Sequence, residues 1–567
     1  MKERMSASDQ ARLVVAREAH LGGDLDAAQN AYRRLRRKYP RNADVKSLLG
    51  ALHLARGEHA AAIPLLEHVS RARKTDADAF YNLGLAFAGS NEHEKAVAHY
   101  KRAIRCNAAH PAAHYNLGFS LRNLDRNAEA VEALCADHAL KPSFDTCRLL
   151  RKCCMALERY EDALAYAEQC VEMEGANLSD LNALVLLLCY NHARASTMSD
   201  EDVGTLRALA HRAVELGPND VEAWVNEGRA LTMLGATDEA IAPLARAVQL
   251  APESDEGNAL HAVALLSEGR LHQGWHARSL LERMHKPITA TGVPRWQGQL
   301  QPGYRLWLTK EQGVGDQIIF ASAMGDLVNA GMEVTLVSDP RLIPLLTRSM
   351  PHVTFCEAIA EADQPAFDGF APMGEMLLHL REHKDKLPAP HPYLSADPDE
   401  TALFRGRYEA AYPGQRIIGL AWLSHSDVNG AGKSIPLDDL LPILTLPGCV
   451  FVCVQYGEGA EALRAHAAQH GYQVHIDQDC DPLTDLDGAA AQLAALDELV
   501  SVSNASVHMA GALGVRTHVL LSKRPVWHWF REGSRAPWYP DVHLYRQQRL
   551  ETWQHPIATL AEALSRA

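Results

Sequence analysis

The chain has 567 residues, 22% of them charged and 47% hydrophobic, which is the balance of an ordinary globular protein and excludes a disordered or fibrous one. Its formal net charge of −14 argues against a nucleic-acid partner, because phosphate recognition needs a dense cationic surface. The polar N-terminus predicts no signal peptide, and the apolar runs are much shorter than the roughly 20 residues that cross a bilayer. We therefore expect a cytoplasmic protein without a transmembrane segment.

A repeat of about 34 residues runs through the first quarter of the chain. Small or large apolar residues recur in one phase, namely Ala28, Ala62, Ala96 and Ala130, then Tyr32, Leu66, Tyr100 and Leu134, then Gly50, Gly84 and Gly118. Small residues let paired helices approach closely, and large ones fill the seam between units. This is the tetratricopeptide pattern, in which helix pairs stack into a solenoid with a concave groove. We predict that residues 1–286 form this all-α solenoid and that it binds another polypeptide.

Three asparagines share one position in the repeat, two residues before the repeat glycine: Asn82, Asn116 and Asn226. An asparagine amide both donates and accepts, so it can hold a peptide backbone without reading its sequence. The arrangement resembles the asparagine ladder of eukaryotic-type O-GlcNAc transferases, which implies that these residues bind an acceptor protein. The alternative is that asparagine is merely a tolerated polar residue here.

The pattern of hydrophobic residues changes after residues 287–300. We interpret this segment as a linker because it contains proline and glycine. Short apolar runs then alternate with helical patterns, and the candidate strands are YRLWLT, EVTLVS, IIGLAWL, VFVCVQ and ELVSVS. Such alternation predicts parallel βαβ units. We predict that residues 301–567 form two Rossmann-like halves, about 301–395 and 396–567. Parallel sheets bind ligands at the carboxyl ends of their strands, so a cleft there is the expected site.

Three polar segments follow candidate strands and supply the candidate site residues. They are Gly313, Gly315 and Asp316 in the first, Lys433 and Ser434 in the second, and Ser503, Asn504, Ser506 and His508 in the third. Glycines and helix N-termini accommodate anionic groups, and lysine and serine suit a phosphate. Each residue also has a structural interpretation: Asp316 as a helix cap, Lys433 as a solvated loop residue and His508 as a core histidine.

The runs EQGVGDQIIF, GKSIP and SVSNASVHMAGALG, in this order after tetratricopeptide repeats, resemble the heptosyltransferase-like glycosyltransferases of the GT-B fold. The chain is similar to bacterial fusions of such a domain to repeats, some of which glycosylate flagellins. This resemblance implies an inverting, metal-independent transferase that uses a nucleotide-sugar donor and no cofactor. By the same resemblance Asp316 is the general base, and the other residues of the three segments bind the donor.

One departure from that family concerns the third segment, where many relatives carry an Asp-Thr pair and this chain has Ser503-Asn504. Loss of a carboxylate favours a sugar that is itself anionic, so we hypothesise a CMP-activated nonulosonic acid as donor and flagellin as acceptor. The same departure fits a decayed site, in which case the protein is an inactive repeat scaffold. Two further alternatives are a lipopolysaccharide-core enzyme and an O-GlcNAc-type transferase with a UDP donor.

The aromatic run Trp527-His528-Trp529-Phe530, followed by Trp538-Tyr539, has two interpretations. It can stack a base or sugar, or it can seal neighbouring parts of the fold. Burial is the expected fate of so much aromatic surface.

Overall fold

The computed structural model describes residues 5–193, 198–285, 292–311, 313–384, 387–424, 430–457, 459–524, 526–550 and 552–566. By their internal contacts these residues divide into two compact units, Met1–Leu187 and Leu188–Ala567. No helix in the described part of the chain is both long and apolar enough to span a bilayer.

In the first half of the chain, every regular element among the described residues is a helix. Its sixteen described helices are α1 (Ala7–Leu21), α2 (Leu25–Lys38), α3 (Ala43–Ala55), α4 (His59–Ala72), α5 (Ala77–Gly89), α6 (His93–Cys106), α7 (Ala113–Arg122), α8 (Asn127–Leu140), α9 (Phe144–Ala156), α10 (Tyr160–Glu172), α11 (Leu178–Ala193), α12 (Asp200–Leu216), α13 (Val221–Met233), α14 (Thr237–Leu250), α15 (Asp255–Ser267) and α16 (Leu271–His285). The predicted solenoid is therefore confirmed. Of the predicted linker, residues 287–291 lie outside the described residues.

The repeat glycines are sites of close approach between the two helices of one unit. A Cβ added at Gly84 would lie 2.6 Å from the Tyr100 ring, and one at Gly228 would lie 2.3 Å from Leu244 Cγ. In each case the contacted residue is sixteen positions later and fully buried. The repeat glycine and the large apolar residue thus pack against each other. This contact explains why both residues recur with the same period.

We expect Gly228→Ala to lower the free energy of unfolding by about 1–3 kcal/mol, because the new methyl group overpacks the contact with Leu244. Gly204 in α12 is the matched control, since a Cβ there meets nothing within 4 Å. Gly204→Ala should instead stabilise the protein by about 0.5–1 kcal/mol, as alanine does inside a helix. All nine tryptophans lie between Trp224 and Trp553, so their fluorescence during urea unfolding reports on the unit Leu188–Ala567. Equal effects of the two substitutions would contradict the close-contact interpretation.

The chain then forms a four-stranded parallel sheet with the order β3-β2-β1-β4. Its elements are β1 (Arg305–Thr309), α17 (Val314–Ala321), α18 (Met324–Asn329), β2 (Glu333–Val337), α19 (Ile343–Ser349), β3 (Val353–Cys356), β4 (Gly369–Pro372) and α20 (Met373–Leu380). The central strand is buried from Leu306 to Leu308. Strands β3 and β4 were not predicted from the sequence, because they are only four residues long.

A second, six-stranded parallel sheet has the order β10-β9-β8-β5-β6-β7. Its elements are α21 (Pro398–Ala411), β5 (Arg416–Ala421), α22 (Gly430–Lys433), α23 (Leu441–Leu444), β6 (Cys449–Cys453), α24 (Ala460–His470), β7 (Val474–His475), α25 (Leu486–Ala494), β8 (Glu498–Val502), α26 (Ala505–Leu513), β9 (Arg516–Leu521), β10 (Val542–Arg546) and α27 (Gln554–Arg566). Counted from its own first strand, this sheet has the strand order of a dinucleotide-binding Rossmann fold. The predicted α/β region with two Rossmann-like halves is confirmed.

The last helix of the solenoid packs directly on the α/β region. Trp275 of α16 meets Trp527 edge-to-face, with ring centroids 4.9 Å apart. Ser279 of the same helix donates to the buried Glu375 of α20 at 3.1 Å, and Arg295 binds that carboxylate through two hydrogen bonds of 2.5 and 2.8 Å. These contacts explain why the end of the solenoid belongs to the same compact unit as the sheets.

Candidate active site

The three predicted segments all lie where strand order reverses within a sheet. In the first sheet β1 lies between β2 and β4, and in the second sheet β5 lies between β6 and β8. At such a reversal the connections leave toward opposite faces and open a crevice at the carboxyl ends of the strands. Residues 310–316 follow β1, while residues 430–434 and 503–508 follow β5 and β8.

Asp316 lies in the first turn of α17 and is half-buried. Asp316 is not the N-cap residue, which is Gly313, but its carboxylate accepts a hydrogen bond from the backbone N–H of Gly313. Burial nevertheless raises the pKa of Asp316, against the opposing effects of the Arg278 and Lys433 cations. Asp316 is thus a fixed carboxylate with increased affinity for a proton, which is what a general base requires.

Lys433 ends the short helix α22 and is half-buried. Burial lowers its pKa, and the charge of Asp316 partly offsets that effect. The hydroxyl of Ser434 accepts from the backbone N–H of Ser424 at 3.0 Å and donates to the carbonyl of Gly430 at 2.9 Å. Ser434 therefore closes the loop that carries the lysine, and its hydroxyl is already used within the protein.

His508 of α26 is buried, and its Nδ1 lies 2.8 Å from the hydroxyl of Tyr539. Its ring stacks on Trp529 with centroids 5.1 Å apart. Burial, assisted by the charge of Lys433, lowers the pKa of His508 to about 3, so the imidazole is neutral at physiological pH. A Cβ on Gly315 would lie 3.0 Å from His508 Cδ2, which shows why the second residue of α17 is a glycine.

Asp316, Lys433 and His508 form what we call the polar centre. Asp316 and Lys433 act on each other's pKa, and Lys433 also acts on that of His508. Helices α17 and α26 are in contact. The polar centre thus joins three segments that are far apart in sequence and belong to two different sheets.

The remaining residues of the third segment are buried and mainly shape the turn before α26. Ser503 accepts from the indole N–H of Trp529 at 2.8 Å. Asn504 accepts from the Ser501 hydroxyl at 3.2 Å and donates to the carbonyl of Leu423 at 3.4 Å, so it joins the ends of β8 and β5. Asn504 is the N-cap of α26 but makes no side-chain capping bond. Ser506 lines a small cavity with Gln492 and Met509.

Several residues near the polar centre were not predicted as site residues, although His528 was named as part of the aromatic run. Arg278 of α16 lies 3.6 Å from the Glu311 carboxylate and stacks its guanidinium over the Phe320 ring at 5.3 Å. His528 is buried beside His508, with ring centroids 4.6 Å apart, and neither of its ring nitrogens has a hydrogen-bond partner among the described residues. Gln455 accepts from the N–H groups of Trp422 and Leu423, at 3.1 and 2.8 Å.

Gln455 could have been recognised from the sequence, because it is a polar residue just beyond a buried strand. Arg278 belongs to the repeats, where nothing in the pattern distinguishes it from a solvated residue. Its position depends on how α16 packs.

The aromatic run is buried throughout, from Trp527 at 5% exposure to Phe530 at 1%. Besides Trp275, the indole of Trp527 stacks on Phe320 of α17 with centroids 6.3 Å apart. The structure therefore supports the interpretation that the run seals neighbouring parts of the fold, and not that it stacks a base or sugar. The run joins the end of the solenoid to the helix that carries Asp316.

The three repeat asparagines differ in exposure. Asn82 and Asn116 are half-exposed, while Asn226 is 2% exposed. Asn116 donates to the Tyr81 hydroxyl at 3.2 Å and to the carbonyl of Ala112 at 2.9 Å. Their role in docking a partner stays a prediction.

Comparison with known proteins identifies the repeats. Residues 22–77 and 206–255 match the family described as tetratricopeptide repeat, and residues 89–124 match one described as TPR repeat. The chain therefore contains tetratricopeptide repeats, and an α/β region of two parallel sheets follows them. The repeats indicate a peptide or protein partner.

Protein FlbA of Caulobacter vibrioides is 30% identical over 380 residues, which cover 62% of this chain and 62% of that protein. The chain thus spans less than two thirds of the length of this curated relative. The aligned stretch is longer than the solenoid that ends at His285, so the similarity extends into the α/β region.

Solved structures match a smaller part of the chain. YrrB, described as a TPR protein with an unusual peptide-binding site, is 18% identical, covers 34% of this chain and 95% of its own, and has a TM-score of 0.31. MamA from Desulfovibrio magneticus RS-1 is 20% identical, covers 31% of this chain and 96% of its own, and has a TM-score of 0.28.

Proposed function

We propose that the protein transfers a sugar from a nucleotide-sugar donor to a serine or threonine of a protein that the repeats bind. The observation that carries this proposal is the polar centre. A fixed carboxylate with a raised pKa and a lysine with a lowered pKa lie near enough to act on each other's pKa, and each follows a strand of one of the two Rossmann-like sheets.

The proposed reaction assigns one step to each group. Asp316 accepts the proton of the acceptor hydroxyl as the oxygen bonds to the anomeric carbon, and the bond from that carbon to the phosphate oxygen breaks on the opposite face. The nucleotide leaves with the electron pair. Lys433 and the N-terminus of α26 stabilise the charge that develops on its phosphate.

The structure also supports a distinct role for His508. A neutral imidazole whose Nδ1 is occupied by the Tyr539 hydroxyl can still form a hydrogen bond through Nε2 without adding charge. We infer that His508 orients the donor while Lys433 provides the cation.

The donor and acceptor belong to the proposal. The Ser503-Asn504 pair leaves the third segment without a carboxylate, which favours an anionic sugar such as a CMP-activated nonulosonic acid. Flagellin is the acceptor to test first, on the family resemblance of the three segments. Mass spectrometry of flagellin after incubation with enzyme and donor measures transfer directly.

We expect CMP to raise the melting temperature of the purified protein more than UDP, GDP or ADP. A ligand at about 100 times its Kd stabilises the folded state by about 2.7 kcal/mol, which a thermal shift detects. Lys433→Met should remove this response, because the phosphate loses its cation. Lys101→Met, at an exposed lysine of α6, is the control and should keep it.

Each other outcome of this experiment is informative. A response to UDP, GDP or ADP alone would keep the transferase and discard the nonulosonic acid. If none of the four nucleotides stabilises the wild-type protein, the α/β region is better explained as an inactive scaffold.

A further inference from the structure

A cluster of two histidines and one aspartate lies outside the polar centre, on the second sheet. His466 and His470 are four residues apart on α24, so their side chains share one face of the helix, and their ring centroids are 4.3 Å apart. Asp438 lies in the turn before α23 and points its carboxylate toward both rings. The topology thus brings together two imidazoles and a carboxylate from separate segments.

The distances suit a metal ion. The Asp438 Oδ1 atom is 3.1 Å from His466 Nε2 and 3.9 Å from His470 Nε2, and one ligand atom from each of the three residues lies within 4.8 Å of the others. Ligands bound tetrahedrally to Zn²⁺ at about 2.0–2.2 Å are separated by about 3.3–3.6 Å. A small shift of the His470 ring would therefore place all three atoms around one ion.

Two further observations point to a ligand rather than a chance ion pair. The Nε2 atom of His470 is buried and has no hydrogen-bond partner among the described residues. The Nδ1 atom of His466 lies 2.8 Å from the Tyr472 hydroxyl, which can accept the Nδ1 proton and leave the Nε2 lone pair directed at the cluster. Metal-bound histidines usually have such a partner on their other nitrogen.

We propose that Asp438, His466 and His470 bind a divalent transition-metal ion, with water completing the coordination. Imidazole ligands favour Zn²⁺, Cu²⁺ or Ni²⁺ over Mg²⁺ and Ca²⁺, which prefer oxygen. Asp438 is five residues after Lys433 in the sequence. The ion would anchor the segment that follows the lysine loop to α24, so its role is to position that segment and not to react with substrate.

The test uses the full-length protein stripped of metal and titrated with Zn²⁺ by isothermal calorimetry. We expect one Zn²⁺ per chain, and His470→Ala and Asp438→Asn should each weaken binding at least tenfold. His276→Ala is the matched control, because His272 and His276 form another pair four residues apart on α16, with centroids 6.3 Å apart. Zinc affinity should be unchanged in this control.

Co²⁺ provides a second readout that does not depend on affinity. Its visible absorption should show an imidazole-containing site in the wild type and in His276→Ala, and should change in His470→Ala. All variants are first compared without metal by tryptophan fluorescence, so that a folding defect is separated from a lost ligand. The proposal is overturned if His470→Ala and Asp438→Asn bind Zn²⁺ as the wild type does, or if His276→Ala loses the ion instead.

Discussion

We expect Asp316→Asn to lower the rate of sugar transfer by about 10²–10⁴-fold, which is the contribution of a positioned general base. The amide keeps the size of the side chain and can still accept from the Gly313 N–H, so α17 should remain in place. The thermal response to the donor nucleotide should also remain, because Lys433 is unchanged. The measurement is single-turnover transfer, followed by the mass of the acceptor.

Asp316→Asn should also make the protein more stable, and this gain in stability should increase with pH. Burial raises the pKa of Asp316, so the folded state favours its neutral form. The stability from this group is present below the pKa of an unfolded aspartate and is lost as the pH rises through the raised folded pKa. Asparagine has no such loss, so the melting temperature of the variant should exceed that of the wild type increasingly toward neutral pH.

Asp399→Asn is the matched control for both measurements. Asp399 also lies in the first turn of a helix, α21, but it is exposed. This variant should transfer sugar at the wild-type rate and gain no stability. Transfer at the wild-type rate by Asp316→Asn would exclude Asp316 as the base, whatever its effect on stability.

The second large effect concerns the buried ion pair between Arg295 and Glu375. The Glu375 side chain is 2% exposed and that of Arg295 is 17% exposed. We expect Glu375→Gln to lower the free energy of unfolding by about 3–5 kcal/mol, because the mostly buried guanidinium of Arg295 loses its countercharge. The substitution also weakens the hydrogen bond from Ser279 that ties α16 to α20. Urea unfolding followed by tryptophan fluorescence measures the effect.

Two controls separate this effect from a general loss of charge. The double variant Arg295→Met/Glu375→Met should lose less stability than Glu375→Gln, because it leaves no unpaired buried charge. Glu409→Gln removes the exposed partner of Arg405 on α21 and should cost at most about 0.5 kcal/mol. If Glu375→Gln and Glu409→Gln have equal effects, the buried pair does not hold the end of the solenoid in place.

Most of the architecture could be predicted because its signals are local. Gly84 and Tyr100 recur with the same period because they contact each other inside one helix pair, and such contacts repeat along a solenoid. The five predicted strands are buried apolar runs, and all five are present. Strands β3, β4 and β7 were not predicted, since a strand of two to four residues has too few side chains to show a period. Strands β9 and β10, of six and five residues, were also missed, and their length does not explain it.

The candidate site could be predicted in its parts but not in its assembly. That Asp316, Lys433 and His508 follow strands is visible in the sequence. The sequence does not show that these three residues lie near each other. Their proximity depends on the order of strands in two sheets, which brings together residues nearly 200 positions apart. The same is true of Asp438 and His470. It is also true of Arg278, which reaches Glu311 because α16 packs on α20, the helix that also contacts α17.

By itself the sequence determined the repeat, the parallel α/β class and the identity of the polar segments, because each of these is set by residues within one helix pair or one strand and its turn. Only the tertiary structure decided that the aromatic run is a buried seal, since burial depends on which surfaces Trp275 and Phe320 present to it. Only the tertiary structure, likewise, set the pKa shifts of Asp316 and Lys433. A side chain's proton affinity follows from the solvent and charges around it, and those come from distant parts of the chain.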